Sequence, residues 1–193
     1  RAMGAGSTEA LPLSVPKVSD RVTALDEHGF MVMPGPVPSA RMPRLSDAYD
    51  AAMVAATGGD LSVGSTTTRV HDFVNRGAEF DDLYLFPPLH EACRHVIGQA
   101  FRLSSLLGRT LRPNQPAQDL HVDVRRDAAD WPLVGFILMV DAFRPDNGAT
   151  RFIPGSHRWP GPPEAVMPNP RADRADQVLA CGDAGSLLVF NGS

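Results

Sequence analysis

Lysine is almost missing from this sequence: of its 18 basic residues, Lys17 is the single lysine and all others are arginine. The bias reads as the codon composition of a GC-rich, bacterial genome. Acidic residues outnumber basic ones by 22 to 18, for a formal charge of −4. That balance argues against nucleic acid as the partner, because binding phosphates needs a basic surface. The two cysteines, Cys93 and Cys181, are too few for a disulfide scaffold and have no CxxC spacing. They are expected as ordinary thiols in a reducing cytoplasm. Long apolar runs are missing too. The longest, Val134 to Val140, falls well below the roughly 18 residues a membrane span needs, so no membrane partner is expected. Nothing in the composition fixes an oligomeric state.

What is present is an ordinary globular composition, 43% hydrophobic and 21% charged over 193 residues, enough for one domain with a real core. Arg1 to Ser7 (RAMGAGS) reads as a tag remnant. Residues 1–8 are therefore set aside, and a single domain is expected over 9–193.

Val18 to His28 has apolar residues at helical spacing and stops at Gly29. Phe30 to Met33 reads as a short strand closed by a Pro34-Gly35 turn. Ser39 is placed to cap a helix running to about Ala56, with Met42, Leu45, Tyr49 and Met53 on one stripe. Ser65 to Val74 is predicted extended, and Pro87-Pro88 open a helix to about Ala100. From Phe101 the pattern changes to short strand-like segments bounded by turn residues: 101–112, 120–124, 133–143, 149–153, 177–181 and 186–190. The proline-rich stretch Pro160 to Pro170 between them reads as a long loop. Helices followed by many short strands predict an α+β fold whose body is a β-sandwich or barrel, most simply a jelly roll.

The chemistry concentrates in Gln118-Asp119-Leu120-His121-Val122-Asp123. In an extended chain, residues two apart point to one side. His121 and Asp123 can then aim an imidazole and a carboxylate at one point. On a helix the same spacing separates them by about 200°. A neutral nitrogen and an anionic oxygen, joined by one more histidine, form the facial triad that holds non-heme iron(II). Alone, the His-x-Asp pair is equally a surface hydrogen bond. A second segment, Asp146-Asn147-Gly148-Ala149-Thr150-Arg151-Phe152-Ile153-Pro154-Gly155-Ser156-His157-Arg158-Trp159, carries Asn-Gly and Pro-Gly turns on either side of a strand.

This second segment closely resembles the NGATRFIPGSHRW stretch of phytanoyl-CoA dioxygenase-like (PhyH) Fe(II)/2-oxoglutarate-dependent oxygenases. Gly182 to Ser193 (GDAGSLLVFNGS) is similar to the family's next-to-last core strand. The resemblance extends from Val18 to Ser193 and implies a double-stranded β-helix (jelly roll, cupin-like) with N-terminal helices packed on one sheet. It implies Fe(II), 2-oxoglutarate and O2 as cofactor and co-substrates, and oxidation of an unactivated C–H bond of a small organic molecule. Hydroxylation, epimerisation or cyclisation in secondary metabolism are the outcomes it allows. His121 and Asp123 match the first two metal ligands. Gln118 and Thr150 match residues that contact the 2-oxoglutarate carboxylate, and Thr66 is placed near it. The family's distal histidine, and the arginine that pairs with the far carboxylate, are expected beyond Ser193. A metal-binding cupin-like module or isomerase on the same jelly roll is the alternative.

Of the other histidines, His157 shapes a loop in the family and does not bind iron. His90 and His95 are five residues apart and do not share a helix face as an i, i+4 pair would. His28 ends a helix, where positive charge suits the dipole. His71-Asp72 either lines a substrate pocket or forms a surface pair, and Asp141 and Asp146 read as turn residues.

Overall fold

Gly29 and Gly98 bracket the helical half of the chain, each at positive φ at the end of a helix. The computed structural model describes residues 17–124, 132–161 and 163–192; the tag-like residues 1–8 lie outside these. The first helix, α1 (Val18–His28), is closed by Gly29 at φ 82°, whose N–H bonds the Leu25 carbonyl at 3.0 Å. Strand β1 (Phe30–Pro34) follows, then α2 (Met42–Ala55), β2 (Leu61–Val63), β3 (Thr67–Val70), the short α3 (Asp81–Tyr84) and α4 (Pro87–Ile97). Strands β4 (Gly108–Leu111), β5 (Val134–Leu138) and β6 (Thr150–Phe152) precede a single turn of helix, α5 (Pro163–Val166), and then β7 (Val178–Ala180) and β8 (Ser186–Asn191).

The strands form three sheets among the described residues. The first has the order β1-β8-β5, both pairings antiparallel, with Met31 opposite Val189 and Phe136 opposite the same residue on the other side. Its alternating side chains serve two cores. Met31, Met33, Leu187 and Val189 pack against Leu25 of α1 and Leu89 and Ala92 of α4, so helices cover that face. Leu188 and Met139 turn the other way, toward Phe30, Phe152 and Phe190; Phe30 and Phe152 stack with centroids 4.4 Å apart. The second sheet runs β2-β3-β4 and the third pairs β6 with β7.

Local signals place the helix ends, with two exceptions: α4 stops at Ile97, short of the expected Ala100, because Gly98 turns left-handed at φ 68° and its N–H bonds the Arg94 carbonyl at 3.0 Å. Ser39 does not cap α2: Ser39–Arg41 is a 3-10 turn held by Arg41 N–H to the Pro38 carbonyl at 2.8 Å, and α2 starts at Met42 without a side-chain cap. Pro43 in the first turn has no N–H to satisfy, which removes part of the need for one.

The strand predictions need more correction. Only Gly108–Leu111 of the 101–112 segment is a strand, because its partner β3 offers four residues to pair with. Residues 120–124 make no ladder at all. Their N–H groups go to two unrelated places: Leu120 to the Pro170 carbonyl and Val124 to the Gly192 carbonyl, each at 2.9 Å. Between β3 and the next turn, Asp72 takes a left-handed conformation at φ 63° and accepts from Asn75 Nδ2 at 2.9 Å, which ends the extended run early.

Candidate metal and co-substrate site

Although 120–124 is not a strand, its two metal-ligand candidates converge. His121 Nε2 and Asp123 Oδ1 are 3.7 Å apart. His121 Nδ1 lies 2.7 Å from the Asp119 carbonyl. A carbonyl accepts only, so Nδ1 carries the proton and Nε2 presents its lone pair toward the carboxylate, the arrangement a metal-binding histidine needs. Both side chains remain open to solvent, at 56% and 43% exposure. A nitrogen and an oxygen donor this close, one already fixed in its tautomer, fit a first-row metal ion. Among the described residues no third histidine, cysteine or carboxylate joins them.

The segment is held from three directions. Arg151 of β6 donates from Nη2 to the Gln118 carbonyl at 2.7 Å while its Nη1 meets Asp173 at 3.0 Å. Arg171 Nε donates to Asp119 Oδ1 at 2.9 Å. The Val124 N–H bonds Gly192, whose own N–H bonds Leu133, so the end of β8 lies against Asp123. A Cβ built on Gly192 would sit 2.4 Å from Leu133 Cδ2 and 3.5 Å from Asp123 Cβ; that close approach is what the glycine allows.

Gln118 is half-buried and accepts from Arg109 Nη2 through its Oε1. Its amide N–H group is thereby turned away from the arginine. Burial, and then the Arg69 charge, pull the Arg109 guanidinium below its usual range, and Asp123 pushes the other way. Arg109 keeps exposed surface, so this desolvation is partial and the group stays charged. Thr150, half-buried, opens β6 opposite Ala180; it lies on the same side as Phe152, while Arg151 between them reaches Gln118. Thr66 lines an open cleft beside Gln118, and Ser62 at the same cleft bonds His71 Nε2 at 3.0 Å.

Three of the remaining histidines are committed elsewhere. His157 packs on Gly29, and its Nε2 lies 3.1 Å from the Asp26 carbonyl. Arg158 donates to the Glu27 carbonyl and Gly155 N–H to that of His28. The Pro-Gly-Ser-His-Arg turn therefore serves the last carbonyls of α1, which no residue of the helix can reach. His95 bonds Asp26 at 2.6 Å and joins α4 to α1, and His90 bonds the Tyr84 carbonyl at 2.7 Å. Asn147 closes its turn through Arg144 N–H and the Ala142 carbonyl, both at 2.7 Å.

Arg69, Arg109 and Arg151 stand out in the structure and only faintly in the sequence. The available signal was an arginine interrupting a threonine- or aliphatic-rich strand, Thr67-Thr68-Arg69-Val70 and Gly108-Arg109-Thr110-Leu111.

A family model described as phytanoyl-CoA dioxygenase (PhyH) matches residues 25–193. The chain belongs to that family. Among curated relatives, the multifunctional dioxygenase ausE of Emericella nidulans is 29% identical over 191 residues, covering 88% of this chain and 63% of its own. The dioxygenase sphC of Aspergillus fumigatus is 32% identical over 143 residues, 67% of this chain and 38% of its own. The chain thus spans less than two thirds of the length of either relative. Solved structures share the fold. HygX from Streptomyces hygroscopicus, with nickel, 2-oxoglutarate and hygromycin B bound, aligns with a TM-score of 0.68 at 18% identity, over 90% of this chain and 77% of its own. SnoN, a non-heme alpha-ketoglutarate-dependent epimerase from nogalamycin biosynthesis, aligns at 0.67 and 16% identity, over 91% and 71%.

Proposed function

We propose that this protein is an Fe(II)- and 2-oxoglutarate-dependent oxygenase that oxidises an unactivated C–H bond of a small organic molecule in secondary metabolism. The observation that carries the reading is the pair His121 Nε2 and Asp123 Oδ1, 3.7 Å apart, with Nδ1 of the same ring tied to a carbonyl. Family membership supports it, as do the relatives named dioxygenases and the neighbours that bind 2-oxoglutarate with nickel or with Fe3+. It also leaves the cupin-like isomerase alternative without a supporting observation.

In this reading His121 and Asp123 hold the iron, which with O2 and 2-oxoglutarate supplies the oxidising chemistry. Arg151, Arg171 and Gly192 keep the ligand segment in place, so the donors need little rearrangement when the ion arrives. Gln118 and Thr150 take the co-substrate carboxylate: Arg109 occupies the Gln118 oxygen, leaving its amide N–H donors for an anion. The third ligand, a histidine, enters from beyond Ser193. The bond between Val124 N–H and the Gly192 carbonyl supports this, because it sets the end of β8 beside Asp123. The fold is completed as a double-stranded β-helix, with the face of Phe30, Phe152 and Phe190 inside and α1 and α4 outside.

Small-molecule substrate chemistry in the cytoplasm, without nucleic acid, completes the proposal. No helix among the described residues is long and apolar enough to cross a membrane. The test is release of succinate and carbon dioxide from 2-oxoglutarate by the full-length protein, with and without Fe(II) and O2. Metal-independent release, or none under any condition, would discard the reading.

A further inference from the structure

The peptide group joining Asp119 to Leu120 is engaged on both sides. Its oxygen, the Asp119 carbonyl, accepts from His121 Nδ1 at 2.7 Å, and its N–H, on Leu120, donates to the Pro170 carbonyl at 2.9 Å. A peptide unit is planar, so its C=O and N–H turn together. Whatever fixes the N–H therefore also aims the carbonyl, and the carbonyl orients the imidazole. Hydrogen bonds in series polarise one another as well. Donation to Pro170 makes the Asp119 oxygen a better acceptor, which raises the basicity of the ring at Nε2.

The far end of this series is the tip of the proline-rich loop. Asn169-Pro170-Arg171-Ala172 is a β-turn with proline at its second position, closed by Ala172 N–H to the Asn169 carbonyl and Arg171 N–H to Asn169 Oδ1, both at 3.2 Å. Both central residues reach the ligand segment: Pro170 through its carbonyl, Arg171 through Nε to Asp119 Oδ1 at 2.9 Å. Behind the tip, Met167 is 5% exposed and is the one buried residue among the described residues 163–173. At the base, the Arg174 guanidinium lies 5.8 Å from the centre of the Trp159 ring and donates to both Asp176 oxygens at 2.8 Å. The loop is thus pinned at its base and middle. Its tip is held more lightly, because the Arg171–Asp119 pair is 73% and 46% exposed, and an exposed pair contributes little by itself. Docking of the tip is therefore an equilibrium and not a fixed joint.

We propose that Arg171 and Met167 are positioning residues for the metal ligand His121, and that docking of the loop tip and metal binding form one linked equilibrium relayed by the Asp119–Leu120 peptide. The link rests on the oxygenase reading through His121 alone. Linkage is reciprocal: the docked loop strengthens ion binding, and the ion tightens the docked loop by the same factor.

Nickel is the probe, on the full-length protein, with affinity measured by calorimetry and loop docking by hydrogen exchange over residues 163–173. Arg171→Gln should weaken nickel binding about three- to fivefold, the scale of an exposed ion pair. The sign is diagnostic, because removing a positive charge near a divalent cation favours the cation by charge alone. Arg171→Lys should recover part of the loss. Met167→Ala changes no charge and should weaken nickel at least as much. Saturating nickel should slow exchange over 163–173 in the wild type by a matching factor, and by less in Arg171→Gln. Thermal melting of each variant controls for folding.

Unchanged or tighter nickel binding in Arg171→Gln, or wild-type exchange over 163–173 that does not respond to nickel, would overturn the proposal. His121→Ala separates this from the oxygenase reading. If it loses nickel while Arg171→Gln keeps full affinity, the relay is removed and the ligand stands; if it binds nickel as the wild type does, both go.

Discussion

The Arg151 guanidinium lies between Gln118 and Asp173, donating to the main-chain carbonyl of the first at 2.7 Å and to the carboxylate of the second at 3.0 Å. Only 10% of its side chain is exposed. An arginine inside the family's turn-strand-turn segment thus fixes a segment far away in sequence that carries the proposed metal ligands. Arg151→Met should lower stability by about 1.5–3 kcal/mol, the usual range for a hydrogen bond to a charged group. It should also weaken nickel binding, with partial recovery in Arg151→Lys. Urea unfolding and metal titration measure the two effects; full metal affinity in a destabilised Arg151→Met would mean that the arginine only staples the fold.

His121→Ala and Asp123→Ala are expected to abolish Fe(II)-dependent turnover of 2-oxoglutarate. Stability should change by no more than about 0.5 kcal/mol, as is usual for surface side chains. Both are more than a third exposed and pack little. Normal turnover in either variant would remove that residue from the metal site.

Gln118→Ala and Thr150→Val should each raise the Michaelis constant for 2-oxoglutarate by a factor equivalent to about 1.5–3 kcal/mol, with a smaller effect on the organic substrate. Steady-state kinetics with varied co-substrate decides this. Unchanged co-substrate dependence in both would relocate the carboxylate.

Gly29→Ala has two costs. At φ 82° a side chain is strained by about 1–2 kcal/mol, and the new Cβ would lie 2.4 Å from His157 Nδ1. A drop in the melting temperature is expected. The double variant with His157→Ala should relieve the steric share, so that its loss is smaller than the sum of the two singles.

Burial pushes the Cys93 thiol above its ordinary range, with Arg94 pulling it back a little. Less of it is then thiolate at any pH between neutrality and its raised pKa, so alkylation there should be slower than for an unstructured cysteine. Mass-resolved iodoacetamide labelling at mildly alkaline pH tests this; labelling as fast as a cysteine peptide would contradict it.

What could be read from the sequence was what acts locally. Gly29 and Gly98 stop helices by their own backbone freedom, and Pro87-Pro88 start one. The chemistry of His121 and Asp123 follows from residue type and spacing of two. The strand expected at 120–124 failed because a ladder depends on what lies alongside, and here Pro170 and Gly192 compete for one segment. The same blindness hid the Arg69–Arg109 pair, since the register that places them side by side depends on how a whole hairpin docks. Arg151 is hidden by its company: within a family-like string it reads as one more residue of the 149–153 strand, while its hydrogen bonds go to Gln118 and Asp173.

Strand β8 sits between β1 and β5, and it contributes Leu187, Leu188 and Val189, all at 0% exposure. The centre of this sheet therefore arrives last among its three strands, after β1 and β5 have both left the ribosome. Until then those two present unpaired backbone edges and apolar faces, with α1 and α4 lacking the surface they cover. Nascent chains should accordingly depend on chaperones that shield exposed strands. Any stall in translation upstream of Ser186 would release a species prone to aggregate, however stable the finished molecule.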